Sequence, residues 1–125
     1  NIGLMNSSSF KDNVIFVYDF PAELRSYSKL CDDFRYAKRF ELYARGIELV
    51  NGYQEIIDAE EQERCFVKEN KIRLARGLPT VKLDQDFLKL LEIIGVGQYS
   101  GAALGVERLL AVLTEANDLS EIQIY

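Results

Sequence analysis

The chain has 125 residues, 48% of them hydrophobic and 28% charged, which suits one soluble globular domain with one core. The net charge of -5 weighs against broad contact with a nucleic-acid backbone, and no apolar run nears the roughly 18 residues of a membrane span. Histidine is absent, which removes Ser-His-Asp and Cys-His nucleophilic sites and every His-ligated metal, and leaves carboxylates, Arg, Lys, Tyr and backbone amides.

In chain order, residues 1–13 read as a mobile leading segment with a polar stretch at 6–9. Residues 14–18 (VIFVY) predict a buried strand, which Asp19-Phe20-Pro21 ends because Pro cannot continue a ladder. Residues 22–29 predict an irregular or weakly helical connection. Residues 36–44 and 47–57 predict two strands around Arg45-Gly46. Residues 58–76 predict a helix with Asp58 as N-cap and Glu60 and Glu61 in the first turn, stopped by Gly77-Leu78-Pro79. Residues 84–94 predict a second helix with Phe87, Leu88, Leu91 and Ile94 on one face. A loop at 95–97, a small-residue strand at 100–104 and an apolar helix at 106–113 complete the chain. Hairpin-linked strands segregated from helices predict an α+β fold with an antiparallel sheet. Cys31 and Cys65 have no CxxC or metal-ligand spacing and are expected as free thiols in a reducing cytoplasm.

The hairpin carries the first candidate chemistry. A two-residue loop at Arg45-Gly46 pairs Ala44 with Ile47 and sets Glu41 opposite Val50, making Glu41 and Glu48 diagonal neighbours on one face. Two such carboxylates suit a divalent cation and repel each other without one. Asn51, Tyr53 and Glu55 have the opposite parity, so a bulge near Gly52 is needed to bring both sets to one surface. Spacing alone favours a solvated sheet face of ordinary Glu and Asn.

The second candidate is the segment Ser100-Gly101-Ala102-Ala103-Leu104-Gly105-Val106-Glu107-Arg108. Little side-chain bulk lets a ligand or another backbone approach, and a guanidinium in the first helical turn adds a fork for phosphate oxygens beside the helix N-terminus. A tightly packed corner with Arg108 in a surface ion pair is the alternative.

Taken together, the two segments resemble a known family. Phe40-Glu41-Leu42-Tyr43, then Gly46-Ile47-Glu48-Leu49-Val50-Asn51-Gly52-Tyr53-Gln54-Glu55 and Asp58-Ala59, resemble the stretch after motif 2 of class II lysyl-tRNA synthetases. Gly101 to Arg108 resembles motif 3, a glycine-rich strand and a helix bearing an essential Arg. The resemblance covers residues 14–125, which reads as the C-terminal part of a class II synthetase-like catalytic domain. Within that superfamily the chain is most similar to the elongation factor P–lysine ligases, through Asp19-Phe20-Pro21-Ala22, Arg73-Leu74-Ala75-Arg76-Gly77-Leu78-Pro79, and Ala103 where lysyl-tRNA synthetases usually have Gly. In the ligases that Ala goes with acceptance of β-lysine over α-lysine.

The resemblance implies ATP and Mg²⁺. It implies Glu41 and Glu48 as Mg²⁺-ATP carboxylates, Leu49 as a backbone contact near the nucleotide, and Gly105 beside ATP. It implies Arg108 on the phosphates as the catalytic group, and Asn51, Tyr53, Glu55 and Ala103 in the amino-acid pocket with Glu55 facing the substrate ammonium. Departures are Glu107 where Asp is usual and Tyr53 where Phe is common. The implied activity of the full-length protein is ATP-dependent activation of lysine or β-lysine as an adenylate and transfer to a lysine of elongation factor P. The alternatives are charging of tRNA by a lysyl-tRNA synthetase, and a non-catalytic truncated fragment. The full-length protein is expected to be a homodimer. This chain, without motifs 1 and 2, is expected to be inactive alone.

Overall fold

The computed structural model describes residues 13–95, 97–116 and 122. Four strands form one antiparallel sheet in sequence order: β1 (Val14–Pro21), β2 (Tyr36–Ala44), β3 (Ile47–Gln54) and β4 (Ser100–Leu104). Three helices accompany it: α1 (Ala59–Ala75), α2 (Gln85–Ile94) and α3 (Val106–Thr114). This is the α+β architecture expected from the sequence. The leading segment read at 1–13 lies, apart from Asn13, outside the described residues, as does Val96 of the loop expected at 95–97.

The β2–β3 hairpin forms where the sequence places it. Ala44 pairs with Ile47, and both loop residues are left-handed, Arg45 at φ 52° and Gly46 at φ 78°. Two such residues give the turn whose twist matches that of the flanking strands. The strands separate earlier than expected. β3 stops at Gln54 rather than residue 57, because the segment around Ser28–Leu30 enters between the strand ends. There the Lys29 N–H donates to the Gln54 carbonyl at 2.9 Å and the Lys38 N–H donates to the Lys29 carbonyl at 2.8 Å.

β1 departs from expectation in two ways. It continues through Pro21, which stands opposite Tyr36, because an edge strand tolerates a residue without an N–H. Asp19, at φ 54°, takes up a register shift between Tyr18 and Phe20. Nor is β1 buried in this chain: Val14, Phe16 and Tyr18 are 68%, 60% and 69% exposed. A strand apolar on both faces reads as buried, yet here only the central strands carry the sheet's buried hydrophobic residues: Ala37, Tyr43, Ala44 and Leu49.

The helix caps are local chemistry. The Asp58 carboxylate accepts from the Glu61 N–H at 2.6 Å, and the Asp84 carboxylate accepts from the Phe87 N–H at 2.9 Å. Each satisfies a helix-start donor and suits the positive end of the dipole. Gly77, at φ 70°, ends α1 in the left-handed region. α1 packs on α2, with the Phe66 and Phe87 rings 6.4 Å apart, and meets the connection after β1 through the Tyr27 ring 5.4 Å from Phe66. On α2, Leu88 and Leu91 are buried, while Phe87 and Ile94 at the edges of the same apolar stripe are partly exposed. α3 packs on β3. Cys31 and Cys65 are free thiols. No helix among the described residues is long and apolar enough to cross a membrane.

Candidate nucleotide and amino-acid site

One irregularity in β3 assembles the candidate residues. Counting from the turn, Tyr43 pairs with Glu48, but the next pair is Leu42 with Val50. Leu49 is the extra residue of a bulge, so the expected bulge near Gly52 lies three residues earlier. Glu41 consequently stands opposite Asn51, not Val50. The shift changes the parity of everything after Glu48, so Glu48 and Asn51 face the same side. The reason lies outside the hairpin: the Leu49 carbonyl accepts from the Gly105 N–H at 2.9 Å, which ties the bulge to the start of α3. That carbonyl is therefore occupied within the protein. Gly52 has another role, since a Cβ there would meet the Phe40 ring on the opposite face at 2.5 Å.

Two cross-sheet rows result: Glu41–Asn51–Ala103 and Arg39–Tyr53–Gly101. Tyr43 and Glu48 extend the same face toward the turn. Glu55 follows β3, with its N–H donating to the Tyr99 carbonyl at 2.8 Å. Its Oε1 lies 3.1 Å from the point a Cβ on Gly101 would occupy, so glycine at 101 leaves room for the carboxylate. Six of the seven residues expected on the sheet — Glu41, Glu48, Asn51, Tyr53, Glu55 and Ala103 — thus share one surface with Gly101, while Leu49, the bulge residue, is buried.

Arg108 joins them from the first turn of α3. Its Nη1 donates to the Glu48 carbonyl at 3.0 Å and lies 3.8 Å from Glu48 Oε2. Gly105, the N-cap, supplies no side-chain cap; a Cβ there would crowd the Arg108 side chain, with Cδ at 3.3 Å. Glu107 is exposed beside it.

Two site residues went unrecognised in the sequence. Glu41 is buried, and both its oxygens are held: Arg39 Nη2 donates to Oε1 and the Tyr43 hydroxyl donates to Oε2. Residues at i−2 and i+2 on a strand share a face, so the period-two pattern could have nominated both Arg39 and Tyr43. Burial, then the hydrogen bond to Glu41 and the charges of Glu41 and Glu48, push the Tyr43 hydroxyl well above its ordinary range. It stays protonated and remains a donor to Glu41.

The charges along the surface differ in their partners. Arg39 offsets Glu41. Glu48 is partly exposed beside Arg108. The Glu55 carboxylate has no hydrogen bond or ion pair among the described residues, and burial raises its pKa above the ordinary carboxylate value. Burial, then the Glu55 charge, raises the Tyr53 hydroxyl. The strip therefore offers a guanidinium at one end and an unpaired carboxylate at the other. Asn51 and Glu55 are about 13 Å apart along the extended backbone at roughly 3.3 Å per residue.

No group of three or more Cys, Asp or Glu among the described residues could by itself hold a metal ion. The donor set therefore does not build an all-protein cage. It fits a Mg²⁺ that arrives with phosphate oxygens and water and needs only one or two carboxylates. Glu48 can supply one directly, and each Glu41 oxygen retains a lone pair beyond its present hydrogen bond. A cavity of about 390 Å³, lined by Tyr27, Phe66, Arg73 and Lys82 among others, lies by α1.

The fold is shared with a known protein. A crystal structure of a protein from Leishmania major Friedlin, assigned as an aspartyl-tRNA synthetase, superposes on 86% of this chain with a TM-score of 0.67 at 20% sequence identity. This chain covers 20% of that one, so it corresponds to about a fifth of its length. The family model described as tRNA synthetases class II (D, K and N) matches residues 3–125, nearly the whole chain. This chain belongs to the class II tRNA synthetase family of the D, K and N group.

Proposed function

We propose that residues 14–125 form the C-terminal part of a catalytic domain whose full-length protein activates lysine or β-lysine with ATP and transfers it to a lysine side chain of elongation factor P. The observation that carries this reading is the unpaired Glu55 carboxylate on the same surface as Asn51, Glu48 and Arg108. A carboxylate without a cation partner favours a substrate with a second ammonium group and repels an acidic one. That supports lysine over aspartate within the D, K and N group. Ala103, opposite Asn51, narrows the pocket by one methyl relative to glycine, and this supports β-lysine.

The chemistry follows from charge. The substrate carboxylate attacks the α-phosphorus of ATP in line, a new P–O bond forms and the bond to pyrophosphate breaks. The nucleophile is already ionised, so no protein base is required, in keeping with a chain that lacks His. Arg108 holds phosphate oxygens as negative charge moves onto the leaving group. Glu48, with Glu41 behind it, would hold Mg²⁺ on the phosphates, which when bound supplies further charge neutralisation. Asn51 and Glu55 orient the amino acid, and Tyr53 walls the space between them. The acyl group then passes from the adenylate to the acceptor amine, releasing AMP. The full-length protein works as a homodimer.

A second reading, charging of tRNA with lysine, is favoured by the family match itself. Pyrophosphate exchange by the full-length protein with α-lysine, β-lysine, aspartate and asparagine tests both. Exchange with β-lysine and transfer to elongation factor P are expected, and Ala103→Gly is expected to shift preference toward α-lysine. Transfer to tRNA alone would establish the second reading, and exchange with none of the four amino acids would reject both.

A further inference from the structure

Arg39 has no role in the chemistry above, yet it is the most fully engaged cation on the sheet. Its side chain is only 14% exposed. Its Nε–H donates to Asn51 Oδ1 at 3.2 Å, Nη1 donates to the Leu24 carbonyl at 2.9 Å, and Nη2 donates to Glu41 Oε1. The guanidinium also lies over the Phe20 ring, 4.5 Å from its centroid. Four contacts from four parts of the chain fix one planar group. A lysine could not reproduce them, because its ammonium is a point charge without the planar fork.

We propose that Arg39 is a positioning residue that sets the polarity of the amino-acid site by fixing which end of the Asn51 amide faces the substrate. An amide oxygen and nitrogen differ little in shape, so their orientation follows from the hydrogen-bonding partners. Arginine has donors only. It therefore holds the Asn51 oxygen toward itself and leaves the NH₂ to the open surface. Asn51 then presents a donor, complementary to an oxygen of the substrate, while Glu55 farther along presents an acceptor. Glu41 serves in part to hold Arg39, and Tyr43 steadies Glu41, since Arg39 and Tyr43 both donate to the Glu41 carboxylate. This inference rests on the reading that Asn51 faces the amino acid.

Asn51→Asp separates orientation from mere contact. The aspartate still accepts from Arg39 but offers the substrate an acceptor in place of a donor. In the full-length protein, Asn51→Asp and Arg39→Lys are each expected to raise the amino-acid KM in pyrophosphate exchange about tenfold. Arg39→Lys in an Asn51→Ala background is expected to raise it little further, since one acts through the other. An unchanged KM in Asn51→Asp, or full additivity in the double variant, overturns the inference. A readout independent of turnover decides the matter if the full-length protein activates no amino acid. The Arg39 Nε–Hε signal in the NMR spectrum is expected to exchange slowly with water and to move in Asn51→Ala. A signal exchanging like that of a solvated arginine, or one unmoved by Asn51→Ala, overturns the inference while leaving the adenylation reading to its own test.

Discussion

Arg108 reaches back 60 residues along the sequence to donate to the main-chain carbonyl of Glu48 at 3.0 Å. The Glu48 side chain is a looser partner, at 3.8 Å. Anchorage to the backbone keeps the guanidinium in place whatever the ionisation of the carboxylate, and its remaining N–H groups stay available for an anion.

The two partners are therefore separable. Glu48→Gln removes the negative charge while retaining the carbonyl anchor, and Arg108→Ala removes the phosphate fork. Each is expected to lower adenylate formation by the full-length protein by on the order of 10²-fold or more. Glu48→Gln is not expected to alter thermal stability appreciably, because an exposed ion pair contributes about 0–1 kcal/mol, while Arg108→Ala also loses the hydrogen bond to the Glu48 carbonyl, about 0.5–1.5 kcal/mol. Pyrophosphate exchange measured beside thermal unfolding checks both halves, and near-normal exchange in either variant would remove that residue from the proposed chemistry.

Glu55 gives a pH signature. Burial raises its pKa above the ordinary value of 4.5, so the folded state favours the protonated form more than the unfolded chain does. The folded state thus binds more protons, and stability falls as pH rises from the ordinary carboxylate value through the raised one. Glu55→Gln removes that dependence. The variant is expected to be more stable than the parent at neutral pH, with the difference closing as pH falls below about 4.5. Lysine-dependent exchange should fall at the same time, since the neutral amide no longer attracts a cation. Thermal unfolding across this pH range checks the sign, and a parent that gains stability on going from acid to neutral relative to the variant contradicts it.

Gly52 is required by packing rather than by its backbone angle. A Cβ there would lie 2.5 and 2.6 Å from two atoms of the Phe40 ring and 3.0 Å from the Ala102 Cβ. Gly52→Ala is expected to cost about 1–3 kcal/mol by overpacking, and Phe40→Leu in the same chain should recover part of that loss. Gly77→Ala is the control. It has no atom within 4 Å, but its φ of +70° costs an L-residue about 1–2 kcal/mol, with no rescue by a neighbour. Denaturant unfolding of the single and double variants measures the coupling.

The legible parts of the fold were those whose chemistry is local. The Arg45-Gly46 turn, the Asp58 cap and the Gly77 stop each depend on a few adjacent residues, and all form as the sequence implies. The buried character assigned to β1 did not hold. Its apolar residues fix strand propensity but not what covers them, and Phe16 meets Phe40 at 5.9 Å while remaining largely exposed.

For the candidate site, the sequence determined the inventory: two hairpin carboxylates, an alternating polar set, a small-residue strand and an arginine at a helix start. Only the tertiary structure decided that these share a surface. A one-residue shift in register turns every following side chain to the other face of a sheet. Here that shift sits at Leu49, whose carbonyl is held by the N–H of Gly105, more than fifty residues later in the chain. No reading of the hairpin alone contains that hydrogen bond, because it exists only once β4 has paired with β3 and brought the start of α3 beside the bulge.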